Sequence, residues 1–451
     1  MISRLALGLA ATVVGASTLA AQDRLVHAWN KIQLTDKFWS EGATFGDFNH
    51  DGKTDVASGP YWWEGPDFKI RHSYYPNGQR KSSGGAAPFK LKKDDGSEET
   101  VEGFEGGLGK NNAYSDNFFA FSHDFNHDGW DDILILGFPG QDATWYENPK
   151  AKKGSPDQPW ISHKVFDVVD NESPAFGDLT GDGKPEIICM SGGFIGYATP
   201  DWTDAAKPWT FHKISPKGNW QRFTHGLGYG DVNGDGKADI MEKDGWWEQP
   251  ASLAGDPVWK FHKVSLGSGG AQMFAYDING DGLPDILTSV EAHGYGLVWF
   301  EQKKERDASG EIVFEKHTII GKTPAENKYG IKITQMHAID LVDMDGDGIK
   351  DIVTGKRFWA HGSHGDAEPE ASPELYWFKI TRGPNHTVDF VPHLIDGDSG
   401  VGTQVLAAPA SNKKYPDVVV GNKKGTFVFQ HTARKASQKD WDAAQPKVKN
   451  P

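Results

Sequence analysis

The chain has 451 residues, with Lys+Arg 47 against Asp+Glu 62 and a formal net charge of -15. That length suits one large repeat fold or two to three ordinary domains. The acidic balance, with no basic stripe, excludes nucleic acid as a partner, and a single cysteine excludes a disulfide framework.

Residues 1–21 read as a secretory signal peptide. Arg4 supplies the positive start, Leu5 to Val14 the apolar stretch, and Ser17 to Ala21 the small-residue cleavage region. The stretch is too short to span a bilayer comfortably and nothing later approaches its length, so no membrane span is expected in the mature form. No cysteine lies at the cleavage region, which argues against a lipid anchor. The expected location is secreted or periplasmic, where calcium is available. Cys189 sits in the apolar run Ile187 to Met190 and reads as a buried core thiol.

From Asp47 onward one loop recurs. Its oxygen side chains stand at positions 1, 3, 5 and 9, and glycine follows position 5. The copies are Asp47/Asn49/Asp51/Asp55, Asp124/Asn126/Asp128/Asp132, Asp178/Thr180/Asp182/Glu186, Asp231/Asn233/Asp235/Asp239, Asp277/Asn279/Asp281/Asp285 and Asp343/Asp345/Asp347/Asp351. Alternate oxygens on a tightly curling backbone converge on a hard cation, and a backbone carbonyl near position 7 fills a gap, so each set is a candidate Ca2+ site. An apolar strand rather than a helix follows each loop, which separates it from the helix–loop–helix calcium hand. The third copy has the weakest ligand set, because Thr180 replaces an amide or carboxylate and Glu186 is longer.

Each unit around a loop has four strand-like parts. A short strand leads into the loop, as in Phe274 to Tyr276. A β-branched strand follows, as in Ile286 to Thr288. An aromatic strand comes third, as in Trp145-Tyr146-Glu147 or Trp246-Trp247-Glu248. The fourth alternates and carries one histidine: His72, His163, His212, His262, His317 or His393. Repetition at one position marks these histidines as structural. The pattern predicts an all-β fold, a seven-bladed β-propeller of four-stranded blades over residues 22–431. The seventh unit keeps only Asp417 of its loop and lacks a fourth strand. Trp29 to Leu34 resembles Phe261 to Leu266, so the N-terminal strand is expected to close the last blade. Residues 432–451 read as a polar, disordered tail.

Antiparallel neighbours place all Asp loops at one end of the propeller. The starts of the first strands and the loops after the second strands then lie at the other end. Long irregular segments fall there: 77–113, a candidate lid, 321–334 and 355–373. So do the candidate catalytic residues His225, His337, Lys356 and Arg357, and the candidate ligand-binding residues Asp116, Glu172, Lys243, Gln272, His293, Trp359, His361 and Gln404. The run Lys356-Arg357-Phe358-Trp359-Ala360-His361 combines cations, an indole face and an imidazole, which suits an anionic or oxygen-rich sugar. His361, His364 and Asp366 offer an alternative transition-metal set.

The Asp loops between apolar strands resemble the FG-GAP/VCBS repeats of seven-bladed propellers. Trp145-Tyr146-Glu147-Asn148-Pro149, coupled with the later strand Trp160 to His163, is similar to the propeller part of aldos-2-ulose dehydratase-type sugar lyases and their bacterial relatives. That resemblance implies elimination of water from keto-sugars and a catalytic divalent metal. It assigns no catalytic residue. From the residues themselves, two functions compete. One is a carbohydrate lyase or dehydratase in which His225 or His337 removes a proton α to a carbonyl, Lys356 and Arg357 or a cation stabilise the enolate, and Trp359 stacks on the sugar. The other is a recognition propeller that binds polysaccharide or another extracytoplasmic ligand and uses calcium only structurally.

Overall fold

The computed structural model of the chain describes residues 24–75, 89–92, 98–101, 114–150, 158–362 and 365–450. The signal peptide, most of the candidate lid 77–113 and His364 lie outside these residues. The described residues fall into two compact units, a large one within 28–432 with 446–450 and a small one of 24–27 with 433–445. In the small unit, Gln438–Ala444 is a short helix capped by Ser437, so this part of the tail has regular structure where none was expected.

The large unit is an all-β propeller with four-stranded blades. The first is Thr44–Gly46, Asp55–Ser58, Tyr61–Trp63 and Arg71–Ser73. Its successors begin at Phe119–His123, Ala175–Gly177 and Ile339–Val342. The last blade holds Val405–Ala408, Asp417–Asn422 and Gly425–Lys435, and its outer strand is Leu25–Thr35 from the N-terminus. Five such sheets stand alone, where seven separate ones are expected from the repeat. Phe89–Lys92 and Glu98–Val101 form a two-stranded sheet, and the other strands form one eight-stranded sheet. In it Leu227–Tyr229 pairs in parallel with Gln272–Phe274. Glycine permits this approach, since a Cβ on Gly228 would lie 1.9 Å from the Met273 carbonyl oxygen.

The position-9 carboxylates explain why every blade bends alike. Asp285 is fully buried; Oδ2 accepts the Ile278 N–H (2.9 Å) at loop position 2 and Oδ1 accepts the Gln302 N–H (2.8 Å) on the third strand. Asp55, Asp132, Asp239 and Asp351 make the same two bonds. So does Asp417, whose oxygens accept from Ser411 (2.6 Å) and His431 (2.7 Å), although its loop is degenerate. Glu186, in the third unit, accepts from Leu179 (2.9 Å). One buried acid thus ties three strands at the corner with both oxygens hydrogen-bonded, while burial still raises the pKa of Asp285 from 3.8 to about 7.

The third strands carry the rest of the blade chemistry. His163 stacks on Trp145 and bonds Glu147 (2.8 Å), while Asn148 donates to the Phe48 carbonyl (2.9 Å) in the preceding blade. The Trp-Tyr-Glu-Asn signature is therefore a packing device. Six fourth-strand histidines each lie on an aromatic ring, with centroids 4.0–4.8 Å apart. In the last blade the pair is exchanged between strands: Trp29 of the N-terminal strand stacks on His431 at 4.0 Å.

Candidate functional site

At the end where the first strands begin, four histidines gather. His225 and His337 precede the first strands Leu227–Gly230 and Ile339–Val342, His293 follows the second strand Asp285–Ser289, and His361 follows Asp351–Gly355. One nitrogen from each of His225, His293 and His337 lies within 4.8 Å of the other two, and His293, His361 and Asp366 meet the same limit. The imidazole of His293 is central, with centroids 4.8 Å from His225, 4.6 Å from His337 and 4.5 Å from His361.

Local backbone sets this up. Gln335 has a left-handed φ of 55°, which costs a non-glycine residue about 1–2 kcal/mol. The conformation turns its carbonyl toward both His337 Nδ1 (3.1 Å) and the Arg357 N–H (3.0 Å). His337 is only 2% exposed, and its Nε2 completes no hydrogen bond. Burial, with Arg357 and the neighbouring imidazoles, pushes its pKa well below the ordinary histidine value, so it is a neutral donor ring. Nε2 of His225 and Nδ1 of His293 also complete no hydrogen bond, although they stand 3.3 Å from Glu172 and 2.9 Å from Asp366. Two donors at about 2.1 Å from one ion, set at a right angle, stand about 3 Å apart. Close, unaligned contacts of this kind fit ligands that share a cation.

Asp366 is held by the Ala367 N–H, which donates to the His293 carbonyl (3.1 Å). Its Oδ1 takes His361 Nδ1 at 2.9 Å. The two imidazoles hold its carboxyl well below the usual range, against the effect of burial. Tyr114 stands behind, its ring 6.4 Å from that of His361.

The other candidates have different surroundings from those expected. Arg357 is 2% exposed and lies between Glu41 (3.0 Å) and Glu172 (3.5 Å), so its charge is spent on two buried carboxylates and is not open to an enolate. Lys356 is buried and donates to Thr334 Oγ1 (3.2 Å); desolvation pulls its pKa down to about 8. Trp359 is 2% exposed and cannot offer a face to a sugar; its carbonyl accepts Lys423 Nζ (2.7 Å). Gln272 bridges the Thr403 carbonyl (3.1 Å) and the Ile339 N–H (2.9 Å), and Gln404 accepts from and donates to the Ala120 backbone (3.0 and 2.9 Å). Both are ties between first strands rather than ligand contacts. Asp116 is half-buried beside Ser115. Glu172 joins the cluster through His225 and Arg357. Glu41 was missed, although it holds the same place before the first strand of its blade as Glu172 does.

Lys243 lies on a separate feature. A cleft of about 460 Å³ opens beside His225, between Trp220, Phe223, Thr224, Lys243 and Asp244.

At the opposite end the Asp loops brace themselves. Asp277 accepts N–H bonds from Gly280, Asp281 and Gly282 (2.7–3.1 Å), Asn279 accepts from Asp281 (2.9 Å), and Asp281 from Leu283 (2.9 Å). The first, second and fourth loops repeat the arrangement. Asn49 is buried and accepts the Asp51 N–H (3.0 Å), and Asp51 accepts from Lys53 (3.0 Å). Asn126 accepts from Asp128 (3.1 Å) and donates to Glu147 (3.4 Å). Asp128 accepts from Trp130 (3.0 Å) and lies 3.2 Å from Lys150 Nζ. Asn233 accepts from Asp235 (2.9 Å), which in turn accepts from Lys237 (2.9 Å). The oxygens of Asn49, Asp51, Asn126, Asp128 and Asn233, the expected metal ligands, also accept the turn's own N–H groups. The physical reason is the curl of the loop, which aims successive N–H groups at the same oxygens that a cation would use.

The position-9 acids depart further from expectation. Asp55, Asp132, Asp239, Asp285 and Asp351 are turned inward as the corner clamps described above and have backbone duties where metal ligation is expected. Each loop is left with the hard oxygens of positions 1, 3 and 5, which fit a calcium-like ion by type. Among the described residues, the third and sixth loops each bring three carboxylates within 4.8 Å, through Asp178, Asp182 and Glu186 and through Asp343, Asp345 and Asp347. The acids of the first, second, fourth and fifth loops do not meet that limit as a group of three. The third loop gathers three acids through its longer position-9 residue Glu186, and the sixth because Asp345 stands where the first, second, fourth and fifth loops carry Asn. In the sixth, Lys379 Nζ pairs with Asp345 and lies 2.9 Å from Asp347, an ammonium in the ion's place.

Residues 124–189 match the FG-GAP-like repeat. They run from the second Asp loop into the second strand of the third blade. No curated protein matches the chain. Among solved structures, a lectin of Agrocybe aegerita described as recognising non-reducing terminal N-acetylglucosamine is similar at 15% identity and TM-score 0.43, over 86% of this chain and 84% of that one. The exotype rhamnogalacturonan lyase YesX is similar at 12% identity and TM-score 0.41, over 90% of this chain and 72% of that one. Likenesses so distant do not bear on the chemistry of this site. Among the described residues no helix is long and apolar enough to cross a membrane.

Proposed function

We propose that the histidine end of the propeller is a divalent-metal centre of a carbohydrate lyase or dehydratase. The observation that supports it most is His337. A neutral, buried imidazole with Nδ1 on a backbone carbonyl and Nε2 without a partner is arranged as metal-binding histidines are. His225, His293 and His337 would hold the ion, with Asp366 beside them. Three imidazoles suit zinc or a similar borderline ion better than calcium. When bound, such an ion polarises a substrate carbonyl oxygen. His361 is left for proton transfer: donating Nδ1–H to Asp366 fixes the tautomer and leaves Nε2 as the acceptor for a proton α to that carbonyl. This moves the base from His225 or His337 to His361. Arg357 and Glu172 orient His225 and do not meet substrate.

The fold reading has two finer parts. The eight-stranded sheet counts as two blades, giving seven, which the recurring corner acids support. Calcium is proposed for positions 1, 3 and 5 of the loops other than the sixth, where Lys379 already neutralises the carboxylates. Each oxygen that accepts a turn N–H keeps a second lone pair for the ion.

The test is metal analysis followed by turnover. The zinc-loaded protein, incubated with keto-sugars and with uronate polymers, is expected to form an unsaturated product seen by ultraviolet absorbance. His337→Ala is expected to lose metal and turnover together. His361→Ala is expected to keep metal and lose turnover by about 10²–10⁴-fold. Full metal occupancy with no product from any of these sugars would leave a recognition propeller, the reading that the open cleft beside His225 also fits.

A further inference from the structure

We infer that the ligand of this centre is longer than one sugar ring, a neutral disaccharide or glycoside whose second ring lies in the cleft beside His225. This rests on the reading of the histidine cluster given above. Of the four clustered histidines the cleft is lined by His225 alone, so it adjoins the group held at the imidazoles and receives what extends beyond it. A hexose displaces about six waters, roughly 180 Å³. At about 460 Å³ the cleft has room for a ring in addition to the reacting unit.

Its walls are those of a carbohydrate subsite. Trp220 is half-buried and held at its edge by Trp247, with centroids 5.9 Å apart and planes at 73°. A fixed indole of this kind offers a face without further ordering cost. Phe223 stands 44% exposed on a left-handed backbone (φ 69°), an apolar side chain projected outward at a conformational cost. Asn219 adds an amide with hydrogen-bonding groups of both polarities, while the Thr224 hydroxyl is taken up by the Gln221 backbone. Lys243 and Asp244 pair with each other, so this wall carries no net charge and does not favour a uronate over a neutral ring.

The experiment compares a keto-hexose with the same keto-hexose bearing a second neutral sugar, by calorimetry and by turnover, on the zinc-loaded full chain. The larger ligand is expected to bind about tenfold tighter, the scale of one aromatic–ring contact. Trp220→Ala is expected to lower the ratio of kcat/KM for the larger ligand over the smaller about tenfold. Trp220→Phe, which keeps a ring and the Trp247 contact, is expected to restore most of it. Equal binding of the two ligands, binding of neither, or a Trp220→Ala effect equal on both would overturn the inference. A Trp220-dependent preference in binding without any product would support the cleft and overturn the lyase. Product from both sugars with no preference would do the reverse.

Discussion

Asp285 shows what a single residue contributes here. Its buried carboxylate satisfies two buried amides, and each such amide left unpaired costs about 1–3 kcal/mol. Asp285→Ala is therefore expected to lose about 2–5 kcal/mol in urea unfolding, and a loss below about 1 kcal/mol would refute the clamp. Glu242 shares with Asp285 a pKa raised by burial to about 7, but not its two hydrogen-bonded oxygens. It is buried with Oε1 unpartnered, and burial pushes its pKa from 4.5 up to about 7. The folded state holds that proton more tightly than the unfolded state does. Stability from this group is accordingly greatest below pH 4.5 and falls as pH rises toward 7, by roughly 3 kcal/mol. Glu242→Gln should flatten the pH dependence of stability over that interval; an unchanged slope would show that the carboxyl is ionised in the fold.

At the scale of an element, the Asp loop separates into two functions that the motif writes together. Position 9 faces inward and is fixed by backbone, whereas positions 1, 3 and 5 close the turn and, Asn49 and Asn279 apart, stay nearer solvent. Lys379 then distinguishes the sixth loop from the rest. Chelation is expected to lower the Tm of the protein, because an ion bound only by the folded state stabilises it by mass action. Lys379→Met is expected to lower Tm in chelator, by exposing the mutual repulsion of Asp343, Asp345 and Asp347, and to enlarge the rise in Tm on adding calcium. A Tm indifferent to calcium in both proteins would remove calcium from the account.

For the large unit as a whole, stability depends on contacts between residues far apart in the chain. Ser58 bonds Thr426 (2.8 Å), Thr403 donates to the Glu41 carbonyl (2.9 Å), and the N-terminal strand lies against Gly425–Lys435. Removing Leu25–Thr35 strips the outer strand from the last blade and exposes an edge. The truncated chain is expected to lose the single cooperative transition, with fluorescence and circular dichroism melting at different temperatures. Coincident transitions at the original Tm would show that closure does not depend on this strand.

Repeat, strand alternation and turn chemistry were legible in the residues, because each is local: glycine after an Asp triplet, apolar period two, an aromatic strand followed by a histidine strand. Even the pairing of Trp29's strand with the last blade could be read, since a missing fourth strand at one end matched a spare one at the other. What local chemistry could not reveal was which polar side chains at the histidine end remain available. Arg357 and His361 stand four residues apart, yet one is neutralised by Glu41, 316 residues away, and the other keeps an open ring nitrogen against Asp366. Burial and charge pairing at that end are set by which chain segments the fold brings together, and only the tertiary structure decides that.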